Sequence, residues 1–457
     1  MSLPLDALRD LVGAEHVLTS RHDLMAYSTD ATPLQRALPE AVVLAGTRDE
    51  IAGVLRLAEE HRFPVTPRAS GTNLSGGAVP LHGGVVLSCA RMRRLIEIDE
   101  QNLTATCEPG LQNALLQEAV AAKGLFYPPD PGSQVISTIG GNVMECSGGL
   151  RGLKYGITRD YVIGLEAVLM GGRILRVGGK LTKDVAGYDL VRLLVGSEGT
   201  LAVLTEITLK LLPAPEAKAT GAAYFRDLEA SARSVSRIIE NRILPATLEF
   251  LDQATMRVVD ESADLGLPAD AGAMLIFGQD GAASVVERDT AMMAEVCREE
   301  GAISVEVAAD EDAAGKLLAA RRGAIPALAR LAPTLILEDA TVPRSELAGM
   351  VRDVQRIAEE EGLLIAVFGH AGDGNLHPTC CIDERDPDQV ARVHRAFDRI
   401  FEAALARGGT ITGEHGIGIT KLQYLEQRVG PVGIDLLRGI KRAFDPLGLL
   451  NPGKAVP

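Results

Sequence analysis

The chain has 457 residues, 46% hydrophobic and 23% charged, which is the balance of a soluble globular protein of two or three domains. Acidic residues outnumber basic ones 61 to 46, for a net charge of −15. That charge counts against nucleic acid and anionic membrane as partners, because both need a basic surface, but it leaves room for a local basic pocket.

The N-terminal stretch MSLPLDALRDLVG lacks the basic start and apolar core of a signal peptide. No apolar run approaches the roughly 18 residues of a membrane span. The expected location is the cytoplasm, or the periphery of the inner membrane through a partner subunit. Next, AVVLAGT (41–47) predicts a strand, and RDEIAGVLRLAEEHR (48–62) predicts a helix from its apolar spacing. FPVTP leads into a glycine-rich loop and GGVVLSC resumes a strand, which makes a β-α-β opening. LIEIDEQNLTATCEPG predicts a hairpin turning near Asp99 to Asn102, and GLEAVLMGGRILRVG a second one turning at Gly171-Gly172. The two prolines and small residues of LLPAPEAKATG (211–221) predict a linker. Beyond it, the strand candidates AAYF, AMLIFG, ISVEVA and TLILED alternate with helices over 283–300, 311–331, 345–361 and 387–407. This predicts an α+β domain with helices on one sheet face. The final RAFDPLGLLNPGKAVP is too short to be a domain and must dock on one.

Six cysteines, Cys89, Cys107, Cys146, Cys297, Cys380 and Cys381, contain no C-x-x-C pair. They are expected to be reduced thiols, and their spacing does not suit an iron–sulfur cluster.

Three glycine-rich stretches stand out. PRASGTNLSGGAVP (67–80) is neither a P-loop nor a G-x-G-x-x-G motif. Its small residues let backbone N–H groups close around an anion, although a plain surface loop explains it equally well. PDPGSQVISTIGGNVMECSGGLRGLKYG (129–156) is too rich in glycine for a packed strand. LLVGSEGTLAVLTEITLKLLP (193–213) puts Ser197-Glu198-Gly199-Thr200 between a helix and a strand. Together the three suggest one large, flat, phosphate-bearing cofactor approached by backbone from several sides.

In order, PRASGTNLSGG, STIGGNV, GYDLVRLLVGSEGTLAVLTEITLKL, FGHAGDGNLHP, GEHGIG and FDPLGLLNPGK resemble the FAD-linked D-2-hydroxyacid dehydrogenases. These vanillyl-alcohol-oxidase-type flavoproteins include glycolate oxidase FAD subunits, D-lactate dehydrogenases and D-2-hydroxyglutarate dehydrogenases. The resemblance spans nearly the whole chain. It implies an α+β fold with a two-subdomain FAD-binding domain of the vanillyl-alcohol-oxidase (PCMH) type over 1–215. An α+β cap or substrate domain with an antiparallel sheet would follow over 216–410. A C-terminal segment, 411–457, would return to the FAD domain and carry a catalytic Glu-His pair. The resemblance assigns Arg68, Ala69, Ser70, Gly71, Thr72, Asn73, Leu74 and Ser75 to the FAD pyrophosphate. Pro129, Asp130, Ser133, Thr138, Gly140, Gly141, Asn142 and Gly148 would line the flavin and ribityl chain. Glu198, Gly199, Thr200 and Asn451 would complete the site. Thr72 stands where relatives that tether FAD carry histidine, so non-covalent FAD is implied.

His370 and His377 flank the turn residues Gly372, Asp373, Gly374 and Asn375. Alone, this stretch fits two histidines bonded to backbone somewhat better than two metal ligands. TITGEHGIGITK (410–421) then adds Glu414 and His415 side by side. Neighbours in extended backbone point to opposite sides, so Glu414 would complete a His-His-Glu site while His415 faces substrate. Such a set leaves coordination positions open for a catalytic divalent ion, with zinc favoured over manganese and iron(II). The resemblance gives the same roles: His370, His377 and Glu414 as metal ligands, and His415 as the proton-abstracting base. A 2-hydroxyacid needs a partner for its carboxylate, and arginine suits it best. LLAARRGAIPALAR offers Arg321 and Arg322, each of which reads equally as a solvated helix arginine. The resemblance selects Arg321, with Asn375 also touching substrate.

The implied activity is oxidation of a small D-2-hydroxyacid, glycolate or D-lactate, to the 2-oxoacid, with hydride passing to the flavin. The alternatives are a D-2-hydroxyglutarate dehydrogenase or an electron-relay flavoprotein subunit. Electrons would leave to an external acceptor such as an iron–sulfur subunit or an electron-transfer flavoprotein. A homodimer is one assembly left open.

Overall fold

A computed structural model of the chain describes residues 3–457; Met1 and Ser2, the first positions of the MSLPLDALRDLVG stretch, lie outside the described residues. The chain divides into two compact units. The first takes the chain up to Ser147, Ile157–Ala214 and Glu414–Pro457. The second takes Gly148–Gly156 and Pro215–Gly413.

After helices Leu5–Val12 and Arg21–Ala26, the first unit carries helix Arg48–His61, whose N-cap Thr47 accepts from the Glu50 N–H at 3.2 Å. Its apolar positions Ile51, Val54, Leu55 and Ala58 are fully buried. Each large aliphatic side chain so buried contributes roughly 1.5–3 kcal/mol. The helix links parallel strands of a four-stranded sheet made of β1 (Val17–Leu18), β2 (Ala41–Leu44), β3 (Val65–Arg68) and β4 (Val85–Ser88), ordered β1-β2-β4-β3. A second, antiparallel sheet contains the two expected hairpins. β5 (Leu95–Asp99) pairs with β6 (Thr104–Cys107), and Asp99 accepts from the Asn102 N–H in their turn at 3.0 Å. After the small strand β7 (Leu125–Phe126), β8 (Val162–Val168) pairs with β9 (Ile174–Gly178) across Gly171 and Gly172, both at φ +78°. β10 (Val203–Lys210) lies between β6 and β8, and β11 (Leu212–Pro213) pairs with β7. The tail returns to β3, at the edge of the first sheet. The Val65 N–H donates to Leu449 O at 2.8 Å, and the Asn451 N–H donates to Val65 O at 2.7 Å.

The second unit is built on an eight-stranded antiparallel sheet. Its strands are β12 (Ala217–Phe225), β13 (Thr247–Asp252), β14 (Ala273–Gly281), β15 (Ser304–Val307), β16 (Thr334–Leu337), β17 (Ala340–Thr341), β18 (Ile365–His370) and β19 (Asn375–Ile382). The order is β15-β12-β14-β13-β18-β19-β16, with β17 also beside β19. Helices Leu228–Glu240, Ala283–Glu299 and Leu347–Glu361 pack on it.

Three expectations change here. The linker reading of 211–221 ends too late, because residues 217–221 already belong to β12 and pair with β14. Their smallness serves packing: a Cβ on Gly221 would lie 2.5 Å from the Phe277 ring. The helix expected over 311–331 is two helices, Glu311–Arg322 and Ala324–Leu328. Pro326 lacks the N–H that would bond the carbonyl four residues back, so the first helix cannot continue through it. Finally, a sheet covered on one face alternates between buried and exposed residues, whereas Ala273 to Asp280 are buried without interruption. Both faces of this sheet are therefore covered at its centre. Among the described residues no helix is long and apolar enough to cross a membrane.

Candidate metal centre and cofactor cradle

The hairpin of β18 and β19 sets the two histidines. All six residues of β18 are buried. At the turn, Asp373 accepts from the Asn375 N–H at 3.2 Å, and Gly374 sits at φ +82° with the Val342 carbonyl 2.2 Å from where a Cβ would be. Only glycine fits there without displacing backbone. The register places His370 opposite Asn375 and His377 opposite Phe368. Residues two apart on a strand share a face, so His370 and His377 are diagonal neighbours on one side. Their rings lie 5.1 Å apart and nearly perpendicular, and both residues are buried.

The approach to Glu414 is held by Asp339, a buried residue after β16. One Asp339 oxygen accepts from the Gly413 N–H at 2.6 Å and from the Thr412 hydroxyl at 3.1 Å. One residue on, Glu414 offers an oxygen, and the ligand atoms of His370, His377 and Glu414 all lie within 4.8 Å of one another. Two imidazoles and one carboxylate at this separation suit a divalent ion. The Glu414–His415 segment is a bend rather than extended backbone. The two side chains therefore do not diverge as neighbours on a strand would, and His415 Nε2 is 4.0 Å from Glu414 Oε1.

Arg321 is buried, not solvated: its Nε donates to Glu249 at 2.7 Å and its guanidinium stacks 4.8 Å over the Phe368 ring. Arg322 is exposed. Asn375 is buried, and its Oδ1 accepts from the Thr341 hydroxyl at 2.9 Å, which leaves the amide nitrogen as its outward donor.

In the first unit, the loop after β3 has an unusual property. The backbone N–H groups of Ser70, Gly71, Thr72, Asn73 and Leu74 donate to no other described residue. A run of unengaged N–H groups is a cradle for an anion. Arg68, at its start, donates to Thr29 O at 2.7 Å and stacks over Tyr27. Thr138 caps helix Ile139–Glu145 by accepting from the Gly141 N–H, at 3.3 Å. On that helix the amide nitrogen of Asn142 is buried with no partner among the described residues. A buried donor so placed costs about 1–3 kcal/mol unless a ligand satisfies it. Asp130 is buried and Ser133 half-buried in the loop before this helix, and Pro129 O accepts from Gln117 at 2.9 Å. Gly148, expected beside these residues, begins the short segment that belongs to the second unit.

The remaining expected cofactor residues form a brace. Glu198 accepts from the N–H groups of Ile417 and Gly418, both at 2.7 Å. Asn451 gives its amide hydrogens to Glu198 O (2.6 Å) and Gly77 O (3.0 Å) and accepts from Lys454 at 2.6 Å. Ser75 donates to His415 O at 2.9 Å, and its own carbonyl accepts from the Ile419 N–H at 2.7 Å. Gly418, at φ +48°, would carry a Cβ 2.0 Å from that carbonyl. The loop bearing His415 is thus clamped by Glu198 and Ser75. Burial pushes the Glu145 carboxyl well above its usual range, and the neighbouring Glu198 pushes it further. Burial also raises Glu198, against its two backbone donors and the charges of Lys421 and Lys454.

Solved structures share this fold along 99% of the chain. They include p-cresol methylhydroxylase with substrate bound (TM-score 0.82, 19% identity, 96% of that chain) and 4-ethylphenol oxidase from Gulosibacter chungangensis (0.81, 20%, 96%). The fold is therefore the p-cresol-methylhydroxylase type of flavin-binding architecture, joined to an antiparallel-sheet domain. Residues 39–178 match the family described as "FAD binding domain", and residues 214–455 match "FAD linked oxidases, C-terminal domain". The chain is 54% identical to glycolate oxidase subunit GlcD of Bacillus subtilis, over 98% of this chain and 96% of that protein. It is 37% identical to the GlcD of Escherichia coli K12 (99% and 91%) and to a D-lactate dehydrogenase of Anaerostipes hadrus (98% and 94%). The chain belongs to the FAD-linked oxidases and is an FAD-dependent oxidoreductase. The unengaged N–H groups at 70–74 and the orphaned Asn142 amide fit a pyrophosphate-bearing cofactor.

Two residues of the second unit had no place in the sequence reading. Glu249 bonds both Arg321 and His370 Nδ1, each at 2.7 Å, and Asp339 steers the chain into Glu414. Their signals were a glutamate inside the apolar stretch TLEFLD and an acidic pair ending TLILED.

Proposed function

We propose that the protein oxidises a small D-2-hydroxyacid, glycolate or D-lactate, to the 2-oxoacid, using non-covalent FAD and a divalent ion, zinc by preference, at His370, His377 and Glu414. The observation that carries this reading is the convergence of those three ligand atoms within 4.8 Å. It occurs in a chain 54% identical to a protein named as a glycolate oxidase subunit. When bound, the ion would supply Lewis-acid activation of the substrate hydroxyl, and FAD would supply the hydride acceptor.

The chain supplies the rest. His415 removes the hydroxyl proton as general base. Its backbone is pinned by Ser75 on one side and, through Ile417 and Gly418, by Glu198 on the other, which holds the imidazole in place. The terminal nitrogens of Arg321 hold the substrate carboxylate while its Nε stays on Glu249. The Asn375 amide, oriented by Thr341, donates a second hydrogen bond to the acid. An external acceptor, such as an iron–sulfur subunit or an electron-transfer flavoprotein, then takes the electrons.

The test is anaerobic. Glycolate, D-lactate, L-lactate and D-2-hydroxyglutarate are each added to the yellow protein while the flavin band is followed. Glycolate or D-lactate should bleach it, and L-lactate should not. If no hydroxyacid bleaches the flavin, the proposal fails and an electron-relay role takes its place. His415→Ala should keep FAD and metal but slow bleaching by about 10²- to 10⁴-fold, the range of a general base. Rapid bleaching by that variant would remove His415 from the role.

A further inference from the structure

We infer that Glu249 is a positioning residue for the metal centre: its buried carboxylate holds His370 so that Nε2 faces the ion, and Arg321 is its counter-ion. The inference rests on the metal reading above and adds a residue to it.

Glu249 lies in β13, near the middle of the eight-stranded sheet, directly opposite His370 of β18. It is fully buried. One oxygen sits 2.7 Å from His370 Nδ1, and the other accepts from Arg321 Nε at 2.7 Å. Isolated ionised carboxylates are not tolerated in a sheet interior; the cost is several kcal/mol even after relaxation. Arg321 removes that cost by supplying the opposite charge, and Phe368 holds the guanidinium plane from below. An apolar side chain of similar volume would fill the position without needing any such partner. Packing therefore does not explain a glutamate here, whereas orientation of His370 does.

The chemistry is that of a ligand's outer partner. With a carboxylate against Nδ1, the imidazole proton is held on Nδ1 and the lone pair is left on Nε2. The same bond fixes the ring's rotation, and its negative charge makes Nε2 a stronger donor. The order Arg321–Glu249–His370 also couples the two halves of the proposed substrate site, because the group that aims His370 also fixes Arg321.

The experiment measures zinc affinity on FAD-loaded protein stripped of metal, by equilibrium dialysis against a competing chelator. Wild type should take up one ion. Glu249→Gln should bind it about 10- to 100-fold more weakly, the loss typical of an outer-partner change. FAD content should remain near wild type, the melting temperature should fall because Arg321 is left without its counter-ion, and Glu249→Asp should recover part of the affinity. Should Glu249→Gln fail to fold, the double variant Glu249→Leu with Arg321→Met replaces the buried pair by apolar side chains and should show the same loss. Wild-type affinity in Glu249→Gln, or in the double variant, overturns the inference and leaves the metal reading standing. Failure of the wild-type protein to bind zinc, manganese or iron(II) overturns both.

Discussion

Glu198→Gln tests what a predicted flavin residue does in this chain. Both Glu198 oxygens are committed, one to the Ile417 N–H and one to the Gly418 N–H, each at 2.7 Å. Glutamine keeps one acceptor and turns an NH2 toward the other donor. One charge-assisted bond is lost, worth about 1.5–3 kcal/mol, and one backbone N–H is left facing a donor. The two Ser75 bonds to the same loop survive, as does the close fit of Gly418 against the Ser75 carbonyl. The loop should therefore shift rather than unfold, carrying His415 with it. A misplacement of about 1 Å at a reacting group costs about 100-fold in rate. The assay is single-turnover anaerobic flavin reduction by stopped flow, with FAD content measured on the same sample. The expected result is near-normal FAD occupancy and a reduction rate lower by about two orders of magnitude. A variant that loses FAD yet reduces its remaining flavin at the wild-type rate would show that Glu198 serves the cofactor and not the loop, and would refute the argument.

Two further outcomes follow from burial. Lys454 donates to Asn451, and burial pulls its ammonium from 10.5 down to about 8, against the opposing charges of Asp30 and Glu198. Between these values the unfolded chain binds the proton more tightly, so this lysine opposes folding below about pH 8 and ceases to do so as pH rises toward 10.5. The full effect is at most about 3 kcal/mol. Relative to Lys454→Met, the melting temperature of wild type should rise from pH 7 to 9.5; a flat or falling difference contradicts the assignment. Burial also raises the thiols of Cys89 and Cys297 to about 12 and of Cys381 to about 11. These three should resist a maleimide at neutral pH in the native protein and react on denaturation, with half-buried Cys381 first; fast native labelling of Cys89 or Cys297 would contradict the burial.

The parts of the fold visible in the sequence were those fixed by local contacts. The segment 41–88 shows a capped amphipathic helix between two apolar runs, and the second hairpin shows a Gly-Gly turn, and neither needs distant partners to be recognised. Where tertiary partners decide, local signals misled. Residues 217–221 look like a linker because they are small, but smallness is what Phe277 on the neighbouring strand requires. AMLIFG carries no alternation that would reveal one covered face, and the sheet is in fact covered on both at that strand.

The candidate site divides in the same way. His370 and His377 could be named because a Gly-Asp-Gly-Asn turn fixes the register of their hairpin, and register alone puts both on one face. Glu249 could not, since its meeting with His370 depends on pairing between strands 121 residues apart in sequence. That single pairing also decides between the two helix arginines. Arg321 and Arg322 are equivalent in composition and adjacent in sequence, and helical spacing gives no reason to prefer either. Only one of them can reach a buried carboxylate in β13, and it is the one that is buried. If burial had to be accounted for by substrate alone, Arg321 would be an unpaired cation inside the protein whenever the site is empty, at a cost of several kcal/mol. Glu249 removes that difficulty, which is why an arginine poised for an anionic substrate can wait here without one.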